Sequence, residues 1–278
     1  MNKTALITGA NAGLGRATAF ALAERGYRVI LACRNLANAK QTADDIQTKI
    51  PASAALPWQL DLASLAQIRE SASGIMDGFH QIDLLINNAG VFTPPLTRTE
   101  DGFELQFGVN HLGHFAFTLA LRKLFSDDVR VVNISSSAHR ISKIDWDNLN
   151  AERRYSRAKA YGQSKLANLL FTLSLQSRLA APAMSVAVHP GYVTTKLHAH
   201  LVVTKISNLF MGLSPEEAAK IVIMAALHEV PPGSYVGPKG VFGIQGEPSV
   251  IEPSAAALDE ANAERLWQIS EELTGYRW

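Results

Sequence analysis

Short apolar runs alternate with longer stretches of helical periodicity along the chain. The runs occupy residues 5–7, 29–32, 84–86, 129–134 and 185–188, and they contain few polar residues. Continuous apolar character is typical of strands that are buried on both faces. Strands that alternate with helices predict an α/β fold, in which helices cover both faces of a doubly wound parallel sheet of about seven strands.

The composition favours one domain with a large core. The chain has 278 residues, of which 47% are hydrophobic and 18% are charged. The main candidate boundary is the proline- and glycine-rich stretch 230–253, and the chain beyond it has room for little more than one helix, predicted at 258–273. We therefore expect residues 1–278 to form a single domain, with the C-terminal helix packed against it.

Charge, cysteine content and hydropathy argue against several classes of protein. The formal net charge is +1, so no nucleic-acid partner is expected. Cys33 is the only cysteine and the histidines lack metal-binding spacing, so we expect neither a disulfide nor a metal site. We find no signal-peptide pattern and no run long enough for an integral membrane segment. These features predict a cytoplasmic protein.

A glycine-rich turn connects the first predicted strand to the first predicted helix. Its glycines are Gly9, Gly13 and Gly15, in the spacing G-x-x-x-G-x-G. Gly9 permits a tight turn, while Gly13 and Gly15 allow close approach of a pyrophosphate and of the helix to the sheet. Backbone N–H groups at a helix start attract anions. The turn therefore predicts a dinucleotide site formed by Gly9, Asn11, Ala12, Gly13, Leu14 and Gly15.

The end of the second predicted strand indicates which dinucleotide is bound. An acidic residue there would hydrogen-bond the ribose 2′-hydroxyl of NAD(H), but this strand ends in Cys33 followed by Arg34. A guanidinium group pairs well with a 2′-phosphate. We therefore expect NADP(H) to be preferred over NAD(H).

Further motifs follow the glycine-rich turn in a fixed order. They are Asp61-Leu62, Asn87-Asn88-Ala89-Gly90, Asn110, Ser136, Tyr161 with Lys165 in the pattern Y-x-x-x-K, and Pro190-Gly191. Together they resemble the motifs of the short-chain dehydrogenase/reductase family, from residue 4 to about 195. Residues 32–35, 137–139, 166–169 and 266–272 resemble the branch that contains retinol dehydrogenases and protochlorophyllide reductases.

The resemblance implies a Rossmann-type fold and hydride transfer between a nicotinamide and a carbonyl or alcohol. It implies that Ser136, Tyr161, Lys165 and Asn110 are catalytic, and that Asn110 anchors a water molecule beside Lys165. The cofactor contacts that it implies, besides the glycine-rich turn and Arg34, are Asp61, Leu62, Asn88, Ala89, Gly90, Tyr161, Lys165, Pro190, Gly191, Val193 and Thr195.

The spacing of Tyr161 and Lys165 suits proton transfer. Residues four apart share one face of a helix. A free tyrosine, with a pKa of about 10, is a poor base at neutral pH, but a neighbouring ammonium group lowers that pKa. Tyr161 would donate a proton to the carbonyl oxygen during reduction and accept one during oxidation. Ser136 would hydrogen-bond the same oxygen and orient it.

The tyrosine and the serine both have competitors nearby. Tyr155 and Lys159 also fit Y-x-x-x-K, but Tyr161 is preferred because the second match leads directly into an apolar helix. Ser135 and Ser137 flank Ser136, and alternation along a strand would point them to the opposite face. Four histidines are interpreted as packing or hydrogen-bonding residues, namely His111, His114, His139 and His189.

Segment 196–213 carries many apolar side chains and follows the predicted nicotinamide contacts. Two interpretations stay open: an amphipathic helix packed on the core, or a mobile lid over the substrate. We expect the substrate to be a small hydrophobic aldehyde, ketone or alcohol. The alternatives are a tailoring ketoreductase of secondary metabolism and, less favoured, a non-catalytic dinucleotide-sensing protein. A homo-oligomer is compatible with the sequence.

Overall fold

The described part of the chain is built around an eight-stranded sheet. In the computed structural model, the described residues are 3–193, 212–240 and 243–278. The strands are β1 (Thr4–Thr8), β2 (Arg28–Cys33), β3 (Ala54–Gln59), β4 (Ile82–Asn87), β5 (Phe125–Ile134), β6 (Met184–Val188), β7 (Tyr235–Pro238) and β8 (Pro248–Val250).

Helices connect most of these strands. They are α1 (Gly13–Ala23), α2 (Leu36–Lys49), α3 (Leu65–Gly78), α4 (Leu105–Phe107), α5 (Gly113–Leu121), α6 (Arg157–Gln176), α7 (Pro215–Leu227) and α8 (Glu260–Thr274). A π-helical turn, Gly108–Leu112, joins α4 to α5, and a 3-10 turn, Ser137–Ile141, follows β5. No helix within the described ranges is both long and apolar enough to cross a membrane.

The strand order is β3-β2-β1-β4-β5-β6-β7-β8. β1 pairs in parallel with two neighbours, so that Ala5 lies opposite Val29 of β2 on one side and Leu84 of β4 on the other. Among the described strands, only β8 is antiparallel to its neighbour. Ligands of an open parallel sheet bind where the strand order reverses, which here is at the carboxyl ends of β1 and β4.

The doubly wound α/β architecture is confirmed, with eight strands instead of about seven. The extra strand, β8, lies in the proline- and glycine-rich stretch that the sequence offered as a boundary. Its pairing places Pro248 opposite Pro238 at the edge of the sheet. Proline is tolerated at a sheet edge, but it weakens the local sequence signal for a strand. Contact with β7 therefore determines that this segment is a strand.

Each face of the sheet buries its own apolar cluster. Consecutive strand residues point to opposite faces, so Ile7 packs with α1, α2 and α7 whereas Leu6 packs with α3, α5 and α8. The C-terminal helix, predicted at 258–273, is observed as α8. Its Trp267 stacks on Phe171 of α6 with 5.9 Å between ring centroids, which holds α8 against the sheet layer.

Candidate active site

The carboxyl ends of the central strands surround a cavity of about 1050 Å³. It brings together most of the predicted site residues, although they come from very different parts of the chain. Those lining it are Gly9, Asn11, Ala12, Gly13, Leu14, Gly15, Arg34, Asp61, Leu62, Asn88, Ala89, Gly90, Ser136, Tyr161, Lys165, Pro190, Gly191 and Val193. Asn110 lies behind the wall, and Thr195 lies outside the described residues.

The glycine-rich turn has the geometry that its glycines allow. Gly9 and Gly13 have φ angles of +67° and +50°, in the left-handed region. A Cβ atom on Gly15 would lie 2.4 Å from the carbonyl oxygen of Gly9 and 2.5 Å from Nδ2 of Asn88. Asn88 Nδ2 in turn donates to the carbonyl oxygen of Thr8 at 2.8 Å. Only glycine at position 15 therefore lets α1 approach the ends of β1 and β4 this closely.

The start of α1 fits the pyrophosphate of a dinucleotide. Ala12 precedes the helix, and no described side chain caps the first N–H groups. Ala12, Gly13 and Leu14 line the cavity. Uncapped N–H groups at a helix start carry partial positive charge and bind anions.

Arg34 and Asp61 lie at the β2–β3 end of the cavity. Arg34 is exposed directly after β2, and it forms no ion pair with any residue that the structure describes. Asp61 Oδ1 accepts a hydrogen bond from the backbone N–H of Ala63 at 2.9 Å, which orients the carboxylate ahead of α3. The guanidinium of Arg34 is therefore available to an anionic ligand group.

Tyr161, Ser136 and Lys165 meet at the carboxyl end of β5. The side chains of Tyr161 and Ser136 are hydrogen-bonded; burial raises the pKa of Tyr161 to about 12, and this bond opposes the increase. Burial lowers the pKa of Lys165 to about 8. Lys165 Nζ donates to the carbonyl oxygen of Ile134 at 3.1 Å and lies 5.7 Å from the centroid of the Tyr161 ring. Lys165 is therefore mainly an ammonium at neutral pH, and its charge favours the phenolate form of Tyr161.

The side chain of Asn110 joins two walls of the site. It lies in the π-helical turn, where Oδ1 accepts from the N–H of Val91 at 2.8 Å. Nδ2 donates to the carbonyl oxygen of Val91 at 3.1 Å and to Ser164 Oγ at 2.9 Å. Asn110 thus fixes the chain after Gly90 against α6. The water contact implied for Asn110 stays a prediction.

Hydrogen bonds distinguish the three consecutive serines better than strand alternation does. β5 ends at Ile134, so the alternating pattern does not extend to Ser135, Ser136 and Ser137, and all three line the cavity. Ser135 Oγ donates to the carbonyl oxygen of Lys165 at 2.8 Å. Ser136 is hydrogen-bonded to Tyr161. The direction expected for the side chains of Ser135 and Ser137 stays a prediction, and the choice of Ser136 is supported by its contact with the phenol.

The competing tyrosine has a different environment. Tyr155 precedes α6, its hydroxyl donates to the carbonyl oxygen of Pro94 at 2.9 Å, and the same oxygen accepts from Gln106 Nε2 at 3.1 Å. Lys159 is exposed. Neither Tyr155 nor Lys159 lines the cavity.

The four histidines near the site are buried, and burial lowers the pKa of each. For His111 the pKa falls to about 3, and for His114 and His189 to about 4. His114 hydrogen-bonds Thr8 Oγ1 at 2.9 Å and the carbonyl oxygen of Asn110 at 3.0 Å. These neutral, packed rings agree with their interpretation as packing and hydrogen-bonding residues.

Sequence reasoning missed the apolar wall of the cavity. The Phe92 ring lies 4.7 Å from the Tyr161 ring, at an interplanar angle of 85°. Its position two residues after Asn88-Ala89-Gly90 is a signal that could have identified it. The other wall residues belong to no motif; they include Thr93, Leu105, Val109, Ile141, Tyr192 and Ile244.

Two further expectations concern a metal and the segment 196–213. Within the described ranges, no group of three His, Cys, Asp or Glu residues is placed to hold a metal ion. Nearly all of segment 196–213 lies outside the described residues, so both interpretations of it stay predictions. Its end is described: the N–H of Leu213 donates to the carbonyl oxygen of Tyr192 at 2.7 Å.

Comparison with known proteins agrees with this geometry. The short chain dehydrogenase family model matches residues 3–205. Retinol dehydrogenase 12 of Homo sapiens is 40% identical over 283 residues, which cover 99% of this chain and 87% of the relative. An uncharacterized protein of Mycobacterium paratuberculosis has a crystal structure that matches with a TM-score of 0.84 and 40% identity, covering 99% of this chain and 94% of that one.

A more distant structure is the RhlG/NADP active-site complex of Pseudomonas aeruginosa. It matches with a TM-score of 0.67 and 25% identity, covering 84% of this chain and 93% of that one. The family match spans more than half of the chain and includes all but the C-terminal part of the cavity wall. The chain therefore belongs to the short chain dehydrogenase family, whose members are oxidoreductases that act on alcohol and carbonyl groups with a nicotinamide dinucleotide.

Proposed function

We propose that this enzyme transfers a hydride between NADP(H) and a hydrophobic aldehyde, ketone or alcohol. The observation that carries the proposal is the meeting of Tyr161, Ser136 and Lys165 in the cavity that also contains the glycine-rich turn. A proton-transfer group and a dinucleotide site in one cavity are what such a reaction needs.

The chemistry follows from the placement of three side chains. When bound, the dinucleotide supplies or accepts the hydride. The Tyr161 hydroxyl gives its proton to the substrate oxygen during reduction and takes one back during oxidation. Ser136 Oγ orients that oxygen through a hydrogen bond. The hydrogen bond with Ser136 opposes the increase in the pKa of Tyr161 that burial causes, and the nearby ammonium of Lys165 favours the phenolate.

Arg34 supports the choice of NADP(H). Arg34 is exposed and lines the cavity directly after β2, and the RhlG structure is a complex with NADP. We expect Arg34→Ala to raise the Kd for NADPH by roughly 10- to 100-fold, because a charge-assisted hydrogen bond is lost, and to change the Kd for NADH little. Arg28, exposed at the other end of β2, provides the control Arg28→Ala. Equal losses for both cofactors would contradict the preference.

The apolar wall supports a hydrophobic substrate. Phe92, Leu105, Val109, Ile141 and Ile244 line the cavity, and the Phe92 ring contacts Tyr161. The relative retinol dehydrogenase 12 is named for an apolar alcohol. Across a series of straight-chain aldehydes, kcat/KM is expected to increase by about fourfold per added CH₂ group until the cavity is filled. A preference for polar sugars would contradict this substrate class.

We also propose that residues 1–278 form one domain, that the protein is cytoplasmic, and that it functions without a metal. Trp267 of α8 packs on α5 and α6, which supports one cooperative unit. Chemical unfolding is expected to give a single transition, in which Trp fluorescence and far-UV circular dichroism change together.

Activity is expected to be unchanged by EDTA and to stay in the soluble fraction. Light scattering would determine whether a homo-oligomer forms.

A further inference from the structure

His139 is fully buried in the 3-10 turn that begins directly after Ser136, and both of its ring nitrogens are hydrogen-bonded. Nδ1 lies 2.6 Å from the carbonyl oxygen of Ser136. Nε2 accepts from the backbone N–H of Ser254 at 3.1 Å. A backbone N–H can only donate and a carbonyl can only accept, so the ring proton must be on Nδ1. The two partners therefore fix both the tautomer and the orientation of the ring.

The turn around His139 contacts the rest of the site on three sides. The His139 ring packs edge-on against Tyr235 of β7, with 5.3 Å between centroids at 89°. The neighbouring Arg140 donates to the carbonyl oxygen of Glu252. On the α6 side the packing is tight, because a Cβ atom on Gly162 would lie 2.9 Å from the carbonyl oxygen of Ala138. The turn is thus held between α6, β7 and residues 252–254.

We propose that His139 is a positioning residue, which links the carbonyl group of Ser136 to the N–H of Ser254 and so keeps the Ser136 hydroxyl in contact with Tyr161. The proposal rests on the proposed function, in which Ser136 orients the substrate oxygen. It also assigns an active-site role to residues 252–254, which lie beyond the part of the chain that the family model matches.

Ser254 offers a test that leaves His139 itself unchanged. Its φ angle of −72° is one that proline adopts, and Ser254→Pro replaces the N–H that His139 accepts with a Cδ atom that overlaps Nε2, so the ring and residue 254 are forced apart and their contact is lost. Ser254→Ala is the matched control, because it keeps that N–H and removes only a buried hydroxyl that has no partner among the described residues. With decanal and NADPH, we expect kcat to fall about fivefold in Ser254→Pro and to stay unchanged in Ser254→Ala. The Kd for NADPH should be unchanged in both.

A double-mutant cycle tests whether His139 acts through Ser136. His139→Phe keeps the aromatic contact with Tyr235 but removes both hydrogen bonds, and should lower kcat by about 20-fold. In a Ser136→Ala background, the same change should alter kcat by less than about twofold, since the group being positioned is gone. His139→Gln, which retains a donor and an acceptor, should recover part of the lost kcat. His80→Phe, at an exposed histidine, is the control.

Each failure has a distinct meaning. Equal losses in the two backgrounds, or a loss in Ser254→Ala as large as in Ser254→Pro, would overturn the positioning role and leave the proposed function intact. Full turnover in Ser136→Ala would contradict the role of Ser136 in orienting the substrate oxygen, and the positioning role of His139 would fall with it. A starting enzyme that binds NADPH but reduces no aldehyde would contradict the proposed function itself. If His139→Phe does not fold, the comparison of Ser254→Pro with Ser254→Ala still tests the proposal, because both variants keep the histidine itself.

Discussion

Two Tyr-x-x-x-Lys sequences occur six residues apart in this chain, and the fold gives them very different surroundings. Tyr161 lies in the cavity, bonded to Ser136, with buried Lys165 one helical turn further along α6. Tyr155 precedes the first residue of α6, so its spacing to Lys159 is not that of a helix pair. Identical spacing therefore has chemical meaning only where both residues lie in the helix and the helix faces the cavity.

Tyr155, in the first of the two Tyr-x-x-x-Lys sequences, has a structural role. The Tyr155 hydroxyl is occupied by Pro94 and Gln106, and Gln106 Oε1 accepts from the backbone N–H of Thr93 at 2.9 Å. Thr93 lines the cavity and has a φ angle of +47°, which is unusual for a β-branched residue. Tyr155 thus supports the wall of the cavity, whereas Tyr161 lines its interior.

The largest expected difference is in turnover. Tyr161→Phe removes the proposed proton donor and should lower kcat by about 1000-fold, while Tyr155→Phe should keep kcat within about threefold of the starting enzyme. Steady-state reduction of decanal by NADPH measures both. The assignment of Tyr161 would be wrong if the two variants exchanged these effects.

The second-largest difference is expected between Lys165 and Lys159, in their effect on the free energy of unfolding. Burial lowers the pKa of Lys165 from 10.5 to about 8, so the folded state loses this proton more readily than the unfolded state does. Between pH 8 and 10.5 the contribution of Lys165 to the free energy of unfolding therefore increases with pH. Below pH 8 the lysine is charged in both states, and the folded state bears the full cost of burying the ammonium. Lys165→Met removes a penalty of about 3 kcal/mol at pH 7, and its advantage should vanish towards pH 10.5.

Urea unfolding of the protein without cofactor, measured at pH 7 and at pH 10, tests that expectation. Lys159→Met is the control, because exposed Lys159 should contribute similarly at both pH values. A Lys165→Met protein that is no more stable at pH 7 than the starting protein would contradict the cost assigned to the buried ammonium.

Gly162 and Ser156, the residues that follow the two tyrosines, should show a smaller difference in stability. A Cβ atom on Gly162 would lie 1.9 Å from Ser142 Oγ, so Gly162→Ala should destabilise the fold by about 2 kcal/mol through overpacking. Ser156, after Tyr155, makes no side-chain cap hydrogen bond, so Ser156→Ala should cost less than about 0.5 kcal/mol. Comparison of the two Tm values tests the contrast, and a lower Tm for Ser156→Ala would reverse it.

The smallest expected effect is that of Tyr155→Phe on KM, through the cavity wall that Tyr155 supports. Tyr155→Phe loses one hydrogen bond to Pro94 and leaves one donor of Gln106 without its acceptor, at a cost of about 1 kcal/mol. We expect KM for long aldehydes to rise by roughly two- to fivefold, with the Kd for NADPH unchanged. An unchanged KM would show that the wall does not depend on this hydroxyl.

The sequence predicted the sheet architecture and about half of the residues that line the cavity, because those features depend on local patterns. The turn from Gly9 to Gly15 requires particular backbone angles and close approaches, which only glycine satisfies. The strands are uninterrupted apolar runs, and α8 matched its predicted bounds within two residues. The family motifs then added residues that no local pattern would identify, such as Asn110 and Ser136.

Only the tertiary structure decided the rest, because it depends on contacts between distant residues. β8 exists by pairing with β7, and the choice among three serines depends on a bond to Tyr161 once β5 has ended at Ile134. His139 is joined to Ser254 across more than 100 residues of chain. A local pattern specifies backbone angles and which face of an element is buried, whereas partners this far apart in sequence meet only when the whole sheet and its helices are packed.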